Sequence, residues 1–267
     1  SKQLLPIYDK PMIFYPLSTL MIAGIKDILI ISTPRDKNSF QELLGDGSSL
    51  GINIEYAIQD KSNGIAEAFI IAEDFIGDGP SILILGDNLF FGNELQTILK
   101  NAIDNIIGAT VFAYSVKDPK KYGVAGFDKK GFVNSLEEKP NNPKSNYALT
   151  GIYIYDNDVV NIAKNIVPSN RGELEVTSIN KIYLKKKKLN LEILGRGMTW
   201  LDTGTPETLM EASEFVKVIQ NRQGLVISCP EEIAWRNGWI ESDDLINLAN
   251  NYGNSYYKNY LISLIEV

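Results

Sequence analysis

Residues 81–87 read SILILGD, a continuous aliphatic run that ends in a glycine and an aspartate. A short apolar run bounded by turn residues is typical of a parallel strand that is covered on both faces. In open α/β sheets, ligands bind just beyond the carboxyl ends of such strands. Asp87 is therefore a candidate ligand-binding residue, and a turn residue or the cap of a helix at residue 94 is an equally good interpretation.

Apolar runs and helical periodicity continue on both sides of this strand. Further strands are predicted at 27–32, 52–58, 109–116 and 189–195, and helices at 11–25 (bent near Pro16), 65–76, 94–107, 157–167, 174–188 and 206–222. This alternation predicts right-handed βαβ units in an α/β fold, with a Rossmann-like, mostly parallel central sheet flanked by helices. Strand-like stretches at 123–128, 132–138 and 147–155 predict an antiparallel extension of that sheet.

The composition restricts the possible functions. The chain has 267 residues, 44% of them hydrophobic, which suits one α/β domain with an appendage. Its net charge of −7 argues against a broad nucleic-acid surface. Cys229 is the only cysteine, which excludes an intramolecular disulfide and a thiolate zinc cluster and fits a reducing cytoplasm. Because no apolar run approaches the roughly 20 residues of a membrane span, we expect a soluble protein.

The chain contains no histidine, so any catalysis must use carboxylates, lysine, arginine or a hard cation. A second candidate carboxylate, Asp202 in TWLDTGT, follows a predicted strand at 198–201. A turn or helix-cap role is again the alternative. Two carboxylates at strand ends, with few other ligands, match Mg²⁺, which keeps several waters and is otherwise held by substrate phosphates.

Other polar residues stand beside turns rather than inside amphipathic stripes. Lys2, Lys139 and Arg171 are candidate phosphate ligands, although each taken singly is more often a solvated surface charge. Glu137 and Glu138 precede Lys139, and strand alternation puts only one of them on the site face, where it can bind sugar hydroxyls. The alternative for that residue is a plain Glu–Lys pair. In the stretch 59–64, Gln59 offers an amide to the edge of a base.

Several longer strings occur in a fixed order: SKQLLPIYDKPMIFYPLSTLMIAGI at 1–25, LGDNLFFG at 85–92, YGV at 122–124, SLEEKP at 135–140, KSNYALTGIYIYD at 144–156, RGELE at 171–175 and WLDTGT at 200–205. With them the chain closely resembles the glucose-1-phosphate thymidylyltransferases over essentially its whole length. The tail at 221–240 is similar to the long form of that family. The resemblance implies a nucleotide-diphospho-sugar transferase fold, with a nucleotidyltransferase domain at 1–222 and a C-terminal helical subdomain at 223–267.

The resemblance also implies roles for individual residues. Nucleotide binding falls to Lys2, Gln59, Gly64 and Asp87, and Mg²⁺ binding to Asp87 and Asp202. The sugar phosphate is bound by Tyr122, Gly123, Glu138, Lys139, Arg171 and Trp200. The catalytic set is then Lys2, Asp87, Lys139, Arg171 and Asp202. Ser178 departs from the pattern, because the family usually has aspartate there.

The implied reaction is that of glucose 1-phosphate with dTTP, giving dTDP-glucose and pyrophosphate, the first step of dTDP-rhamnose biosynthesis. The family also implies a homotetramer and a feedback effector, dTDP-rhamnose. Alternatives are a uridylyl- or adenylyl-transferring relative and a noncatalytic sugar-nucleotide-binding paralogue. A nicotinamide-dependent dehydrogenase has little support, because no GxGxxG stands between a strand and a helix.

The larger departure concerns the start of the sequence. The family has a strand and a Gly-Gly-x-Gly-Thr-Arg loop ahead of the segment that begins here at Ser1. Such a loop offers backbone N–H groups to phosphates. We therefore expect an N-terminally truncated chain that is inactive as it stands.

Overall fold

A computed structural model describes residues 1–266. The strands are β1 (Pro6–Ile7), β2 (Lys10–Pro11), β3 (Asp27–Ser32), β4 (Asn53–Ile58), β5 (Ser81–Ile84), β6 (Asn88–Phe91), β7 (Ala109–Ser115), β8 (Gly123–Phe127), β9 (Val133–Glu138), β10 (Tyr147–Tyr155), β11 (Leu189–Ile193) and β12 (Thr199–Asp202). The helices are α1 (Phe14–Ile22), α2 (Lys37–Leu44), α3 (Glu67–Ile71), α4 (Glu73–Ile76), α5 (Leu95–Asp104), α6 (Asp158–Asn165), α7 (Val176–Lys185), α8 (Pro206–Gln223), α9 (Pro230–Arg236), α10 (Ser242–Asn250) and α11 (Tyr256–Ser263).

The predicted α/β fold with flanking helices is confirmed, but its strands form a mixed sheet rather than a mostly parallel one. Parallel pairing joins β3 to β4 and β7 to β11. The long strand β10 lies antiparallel to β5, β7 and β8, and β8 pairs antiparallel with β9 as the predicted extension. A short turn joins β8 to β9, and neighbouring strands joined in this way run antiparallel. β10 lies on the other side of β8 and also runs against it.

Two predicted helices need correction. The predicted helix 11–25 begins only at Phe14, because Pro11 pairs with Pro6 in β2. Pro16 then lies in the first turn of α1, where its missing N–H would have no partner in any case. The predicted helix 65–76 is two helices divided at Ala72, whose ψ of 8° is not helical.

Two strands leave an apolar groove between them. Among residues 1–266, β3 pairs only with β4, and β5 pairs only with β10, so each keeps one edge without a ladder partner. A cavity of about 760 Å³, lined by Leu29, Ile31, Leu83 and Ile84 among others, separates the two strands. We call it the strand-edge groove. Unpaired edges of internal strands are costly, because their backbone N–H and C=O groups lack ladder partners.

Ser1 and Lys2 contact residues that follow the two strands of the strand-edge groove. The Ser1 ammonium group lies 3.2 Å from Asp36, which follows β3, and Lys2 contacts Asp87, which follows β5. The carboxyl ends of β3 and β5 therefore meet at the same place. The two strands run in the same direction, and Ser1 lies at their common carboxyl end.

The C-terminal helices share a hydrophobic core with the N-terminal half of the chain. Leu17 and Met21 of α1 and Ile54 of β4 pack in one cluster with Leu245 of α10 and Leu261 of α11. The boundary at residue 222 stays a prediction, and α8 ends one residue later, at Gln223. In the part of the chain that is described, none of the helices combines the length and hydropathy needed to cross a bilayer.

Truncation of Leu245 tests this shared core. Leu245 is fully buried, and its neighbour Ile246 in the same helix is 36% exposed. We expect Leu245→Ala to lower the free energy of unfolding by about 2–5 kcal/mol, because it removes buried methyl groups and leaves a cavity. Ile246→Ala is the matched control and should cost less than about 1 kcal/mol. Urea unfolding followed by circular dichroism measures both, and equal losses would show that α10 does not contribute to the core as described.

Candidate active site

The antiparallel pair β6–β12 brings the two candidate carboxylates together. Asp87 lies in the tight turn between β5 and β6, and Asp202 is the last residue of β12, opposite Asn88. The N–H and hydroxyl groups of Thr203 both donate to the carbonyl of Asp87, at 3.0 and 2.7 Å. Neither aspartate caps a helix, since Glu94 and Thr205 hold the N-cap positions of α5 and α8.

Burial and a nearby like charge both change the pKa of the Asp202 carboxyl group. Burial raises its pKa above the usual value, and the nearby negative charge of Asp87 raises it further. The positive charges of Lys2 and Lys139 act in the opposite direction. Two acids and two ammonium groups therefore form one charge cluster at the ends of β5 and β12.

Lys2 and Asn88 hold the Asp87 carboxylate from opposite sides. The Lys2 ammonium nitrogen lies 2.5 Å from Asp87 Oδ2. The side-chain amide of Asn88 donates to Asp87 Oδ1 at 2.8 Å. Both oxygens of this carboxylate therefore have a partner.

The two carboxylates suit a hard cation. A metal held by a protein cage would need more ligands, and within residues 1–266 no group of three or more carboxylate or thiol side chains is arranged around such a site. Mg²⁺ is commonly held by one or two carboxylates together with substrate phosphates and water. The Lys2 ammonium group already lies against Asp87, so this position favours a positive charge. Asp87 and Asp202 together fit Mg²⁺.

Aromatic side chains build one wall beside this charge cluster. The ring centroids of Tyr122 and Trp200 are 5.1 Å apart, in an edge-to-face arrangement. Burial, followed by the charge of Asp202, raises the pKa of the Tyr122 hydroxyl. The N–H of Lys139 donates to the Tyr122 carbonyl at 3.0 Å, and Lys139 itself has a φ of 43°. Such a φ is uncommon outside glycine, and strained backbone of this kind clusters at functional sites.

Glu138 is the acid of its strand that faces the site, as alternation predicts. Its carboxylate accepts a hydrogen bond from the Thr177 hydroxyl at 2.5 Å, and it lies 3.7 Å from Arg171. Glu137 points the other way and pairs with Lys144 at 2.6 Å. A Cβ atom on Gly123 would lie 3.4 Å from the Glu138 carboxylate, so Gly123 borders Glu138 directly.

Arg171 is held by the acids of its own loop. Its Nη2 donates to Glu175 at 2.8 and 2.9 Å, and its Nε donates to the same carboxylate at 3.1 Å. These hydrogen bonds raise the pKa of the guanidinium further, so the group stays charged. Glu175 is 8% exposed and precedes α7, where the Ser178 N–H bonds to its carbonyl. The first turn of α7 forms with serine at 178.

Gln59 and Gly64 belong to a loop that packs on the Arg171 loop. The Gln59 amide donates to Glu67 at 2.6 Å and to the carbonyl of Gly64 at 3.2 Å. Gly64 has a φ of 110°, and a side chain there would come within 2.4 Å of the Leu174 carbonyl oxygen. Only glycine fits this close approach. Leu174 therefore connects the Gln59 loop to the residues around Arg171.

The sequence-predicted residues thus fall into connected groups, and the structure adds residues that sequence reasoning missed. Asn88, Thr177, Thr203 and Glu175 each hold a predicted site residue by a hydrogen bond. Asn88, Glu175 and Thr203 lie inside the motifs LGDNLFFG, RGELE and WLDTGT, which is the signal that could have found them, whereas Thr177 lies outside the quoted motifs.

Comparisons with known proteins address the family of this chain. A family model described as nucleotidyl transferase matches residues 1–218. The glucose-1-phosphate thymidylyltransferase of Neisseria gonorrhoeae is 54% identical over 265 residues, which cover 99% of this chain and 92% of the relative. This chain belongs to the glucose-1-phosphate thymidylyltransferase family. The relative from Mycobacterium tuberculosis H37Rv is 52% identical over 266 residues, with 100% and 92% of the two chains covered.

Solved structures share the fold of this family member. A protein from Bacillus anthracis, assigned as a glucose-1-phosphate thymidylyltransferase and crystallised with sucrose, superposes with a TM-score of 0.74 at 38% identity, covering 80% of this chain and 85% of its own. A UDP-glucose pyrophosphorylase with bound UDP-glucose has a TM-score of 0.70 at 24% identity, covering 82% and 90% of the two chains. The second likeness concerns the fold alone.

Fluorescence tests the expectation that the sugar phosphate binds beside Trp200. Glucose 1-phosphate bound beside Tyr122 and Glu138 should change the environment of the Trp200 indole and hence its emission. We expect Trp200→Phe to remove the ligand-dependent change. Trp239→Phe is the control, because Trp239 packs with the C-terminal helices, and it should retain the change. A signal that persists in Trp200→Phe would contradict the assignment of this wall.

Proposed function

We propose that this chain transfers a thymidylyl group from dTTP to glucose 1-phosphate, giving dTDP-glucose and pyrophosphate. The observation that carries the proposal is the charge cluster of Asp87, Asp202, Lys2 and Lys139 at the ends of two strands. Identity of 54% to a thymidylyltransferase over nearly the whole chain supports the choice of substrates.

The chemistry needs no general base, which suits a chain without histidine. The attacking oxygen of glucose 1-phosphate is already anionic. It forms a bond to the α-phosphorus of dTTP in line with the bond that breaks, and pyrophosphate leaves with the electron pair of that bond. Catalysis then rests on positioning two polyanions and on stabilising the charge that develops between them.

Lysine and arginine side chains bind the phosphates in this proposal. Lys2 contacts the triphosphate, and Lys139 and Arg171 bind the phosphate of the sugar. Arg171 donates to carboxylates through Nε and Nη2, so within residues 1–266 its Nη1 stays available for a phosphate. Mg²⁺, held by Asp87 and Asp202, supplies charge neutralisation at the triphosphate when bound.

The sugar and the base occupy the two sides of this phosphate site. Tyr122, Gly123, Glu138 and Trp200 line the sugar side, with the Glu138 carboxylate as acceptor for sugar hydroxyls. Gln59 binds the base edge, and Gly64 lets the backbone approach the base. The packing of the Gln59 loop on Leu174, next to Arg171, supports a site in which both substrates meet.

We also propose the wider properties of the family for this chain. These are the first step of dTDP-rhamnose biosynthesis, with the polysaccharide role that follows from it, a homotetramer, and feedback by dTDP-rhamnose. Exposed apolar residues on α8, Met210 and Val218, support an interface between copies. A cavity of about 460 Å³ lined by Phe91, Cys229 and Arg236 supports an effector site away from Asp87. The single free thiol supports a reducing cytoplasm.

Pyrophosphate release measured with each nucleotide tests the proposed reaction. We expect dTTP to be the preferred substrate with glucose 1-phosphate. The margin over UTP should be small, because one methyl group is worth about 1–3 kcal/mol of discrimination. A clear preference for UTP or ATP would favour the uridylyl- or adenylyl-transferring alternative. Binding of dTDP-glucose without turnover would favour a noncatalytic paralogue.

Asp87→Asn tests the charge cluster within the same assay. The variant should lose roughly 10²–10³-fold in kcat, as for other groups that stabilise developing charge. Asp104→Asn is the control, because Asp104 ends α5 on the surface. Wild-type turnover by Asp87→Asn at saturating Mg²⁺ would rule out the proposed role of this carboxylate.

A further inference from the structure

We infer that Asn88 is a positioning residue that holds the Asp87 carboxylate for the cation. The inference rests on the proposed role of Asp87 as a metal ligand. Asn88 is 3% exposed, so it acts through Asp87 rather than by contact with substrate. Its side-chain nitrogen donates to Asp87 Oδ1 at 2.8 Å, on the side of the carboxylate away from Lys2.

The surrounding hydrogen bonds determine which way the Asn88 amide faces. Its oxygen accepts from the Gly151 N–H at 3.1 Å and from the Trp200 indole N–H at 2.5 Å. Both partners are obligate donors, so only the oxygen of the amide can face them. The NH₂ group must therefore face Asp87. A carboxylate at position 88 would accept the same two bonds and could not donate to Asp87.

Close packing prevents the Asn88 side chain from moving. A side chain built on Gly151 would lie 2.6 Å from Asn88 Oδ1 and 2.7 Å from Cγ. Gly151 lies in β10 at the irregularity between Leu149 and Tyr153, where the ladder to β7 shifts. Three strands thus converge on one amide: β6 carries it, and β10 and β12 supply its two donors.

This arrangement fixes the torsion angle of the Asp87 carboxylate. With Oδ1 bound to the immobile amide, Oδ2 stays directed to the place where Lys2 now puts its positive charge. Without the amide, repulsion between Asp87 and Asp202 would favour a rotation that separates the two carboxylates. Loss of a partner that orients a metal ligand typically lowers metal affinity or activity by about 10–100-fold.

The test compares two variants that disturb the same amide from different sides. Asn88→Ala removes it, and Gly151→Ala displaces it while every polar group of the site remains. Binding of Mn²⁺ alone is measured from the electron paramagnetic resonance of the free ion, and the Mg²⁺ dependence of kcat is recorded in parallel. We expect both variants to raise the Kd for Mn²⁺ by about 10–100-fold.

A matched control separates positioning from general destabilisation. Asn180 is also a fully buried asparagine, and its oxygen accepts a hydrogen bond from Tyr155 in another cluster. Asn180→Ala should lower the melting temperature but keep the wild-type Kd for Mn²⁺. Wild-type Mn²⁺ affinity in both Asn88→Ala and Gly151→Ala would overturn the inference, as would an equal loss of affinity in Asn180→Ala.

Asp87→Asn distinguishes failure of this inference from failure of the proposed metal site. If Asp87→Asn binds Mn²⁺ as the wild type does, the metal site itself is wrong. If it loses Mn²⁺ while the other two variants retain it, only the role of Asn88 is wrong. Should the variants fail to fold, a crystal structure of the wild type with Mn²⁺ decides, because the Asn88 amide must still donate to Asp87.

Discussion

The antiparallel pairing of β6 with β12 is the constraint on which the site depends. It joins residues that are more than a hundred positions apart, and it places the turn that carries Asp87 beside the end of the strand that carries Asp202. Two carboxylates would not approach each other in solution without a counter-charge. Here the ladder hydrogen bonds and the Thr203 contacts to Asp87 keep them close. The repulsion that results makes a cation favourable at this position.

Specific hydrogen bonds also hold two glutamates in the site. Glu138 and Glu175 lie among the groups proposed to bind phosphates and sugar, and each is held by a specific donor, Thr177 or Arg171. Hydrogen-bonded acids of this kind keep basic side chains in a fixed place. A substrate phosphate therefore has to compete with these carboxylates for the Arg171 guanidinium. Arg171 reduces that competition, because within residues 1–266 it donates to Glu175 through only two of its three nitrogens.

Much of the secondary structure could be predicted from the sequence, and the elements that could not be predicted have identifiable reasons. The strand 27–32 and the strand 147–155 were predicted to the residue, because continuous aliphatic and aromatic runs leave little choice. The strand β6 was missed, since four residues directly after a turn give no periodicity. The helix α2 was missed because only Phe40 of its eight residues is buried. The antiparallel direction of β10 agrees with the prediction, but its central place between β7 and β8 was not predicted, because strand order depends on connections that span the whole sheet.

By itself the sequence determined the chemical classes available to this protein. The absence of histidine and the single cysteine excluded most nucleophilic and zinc chemistry. The two strand-end aspartates indicated a hard cation, and the ordered motifs indicated the family. Only the tertiary structure decided which glutamate faces the site and that Lys2 pairs with Asp87. It also decided that the Asn88 amide contacts the Asp87 carboxylate. A sequence pattern reports only on residues that are close together along the chain. These contacts depend on residues 85 and 112 positions apart, which become neighbours only when the strands pack.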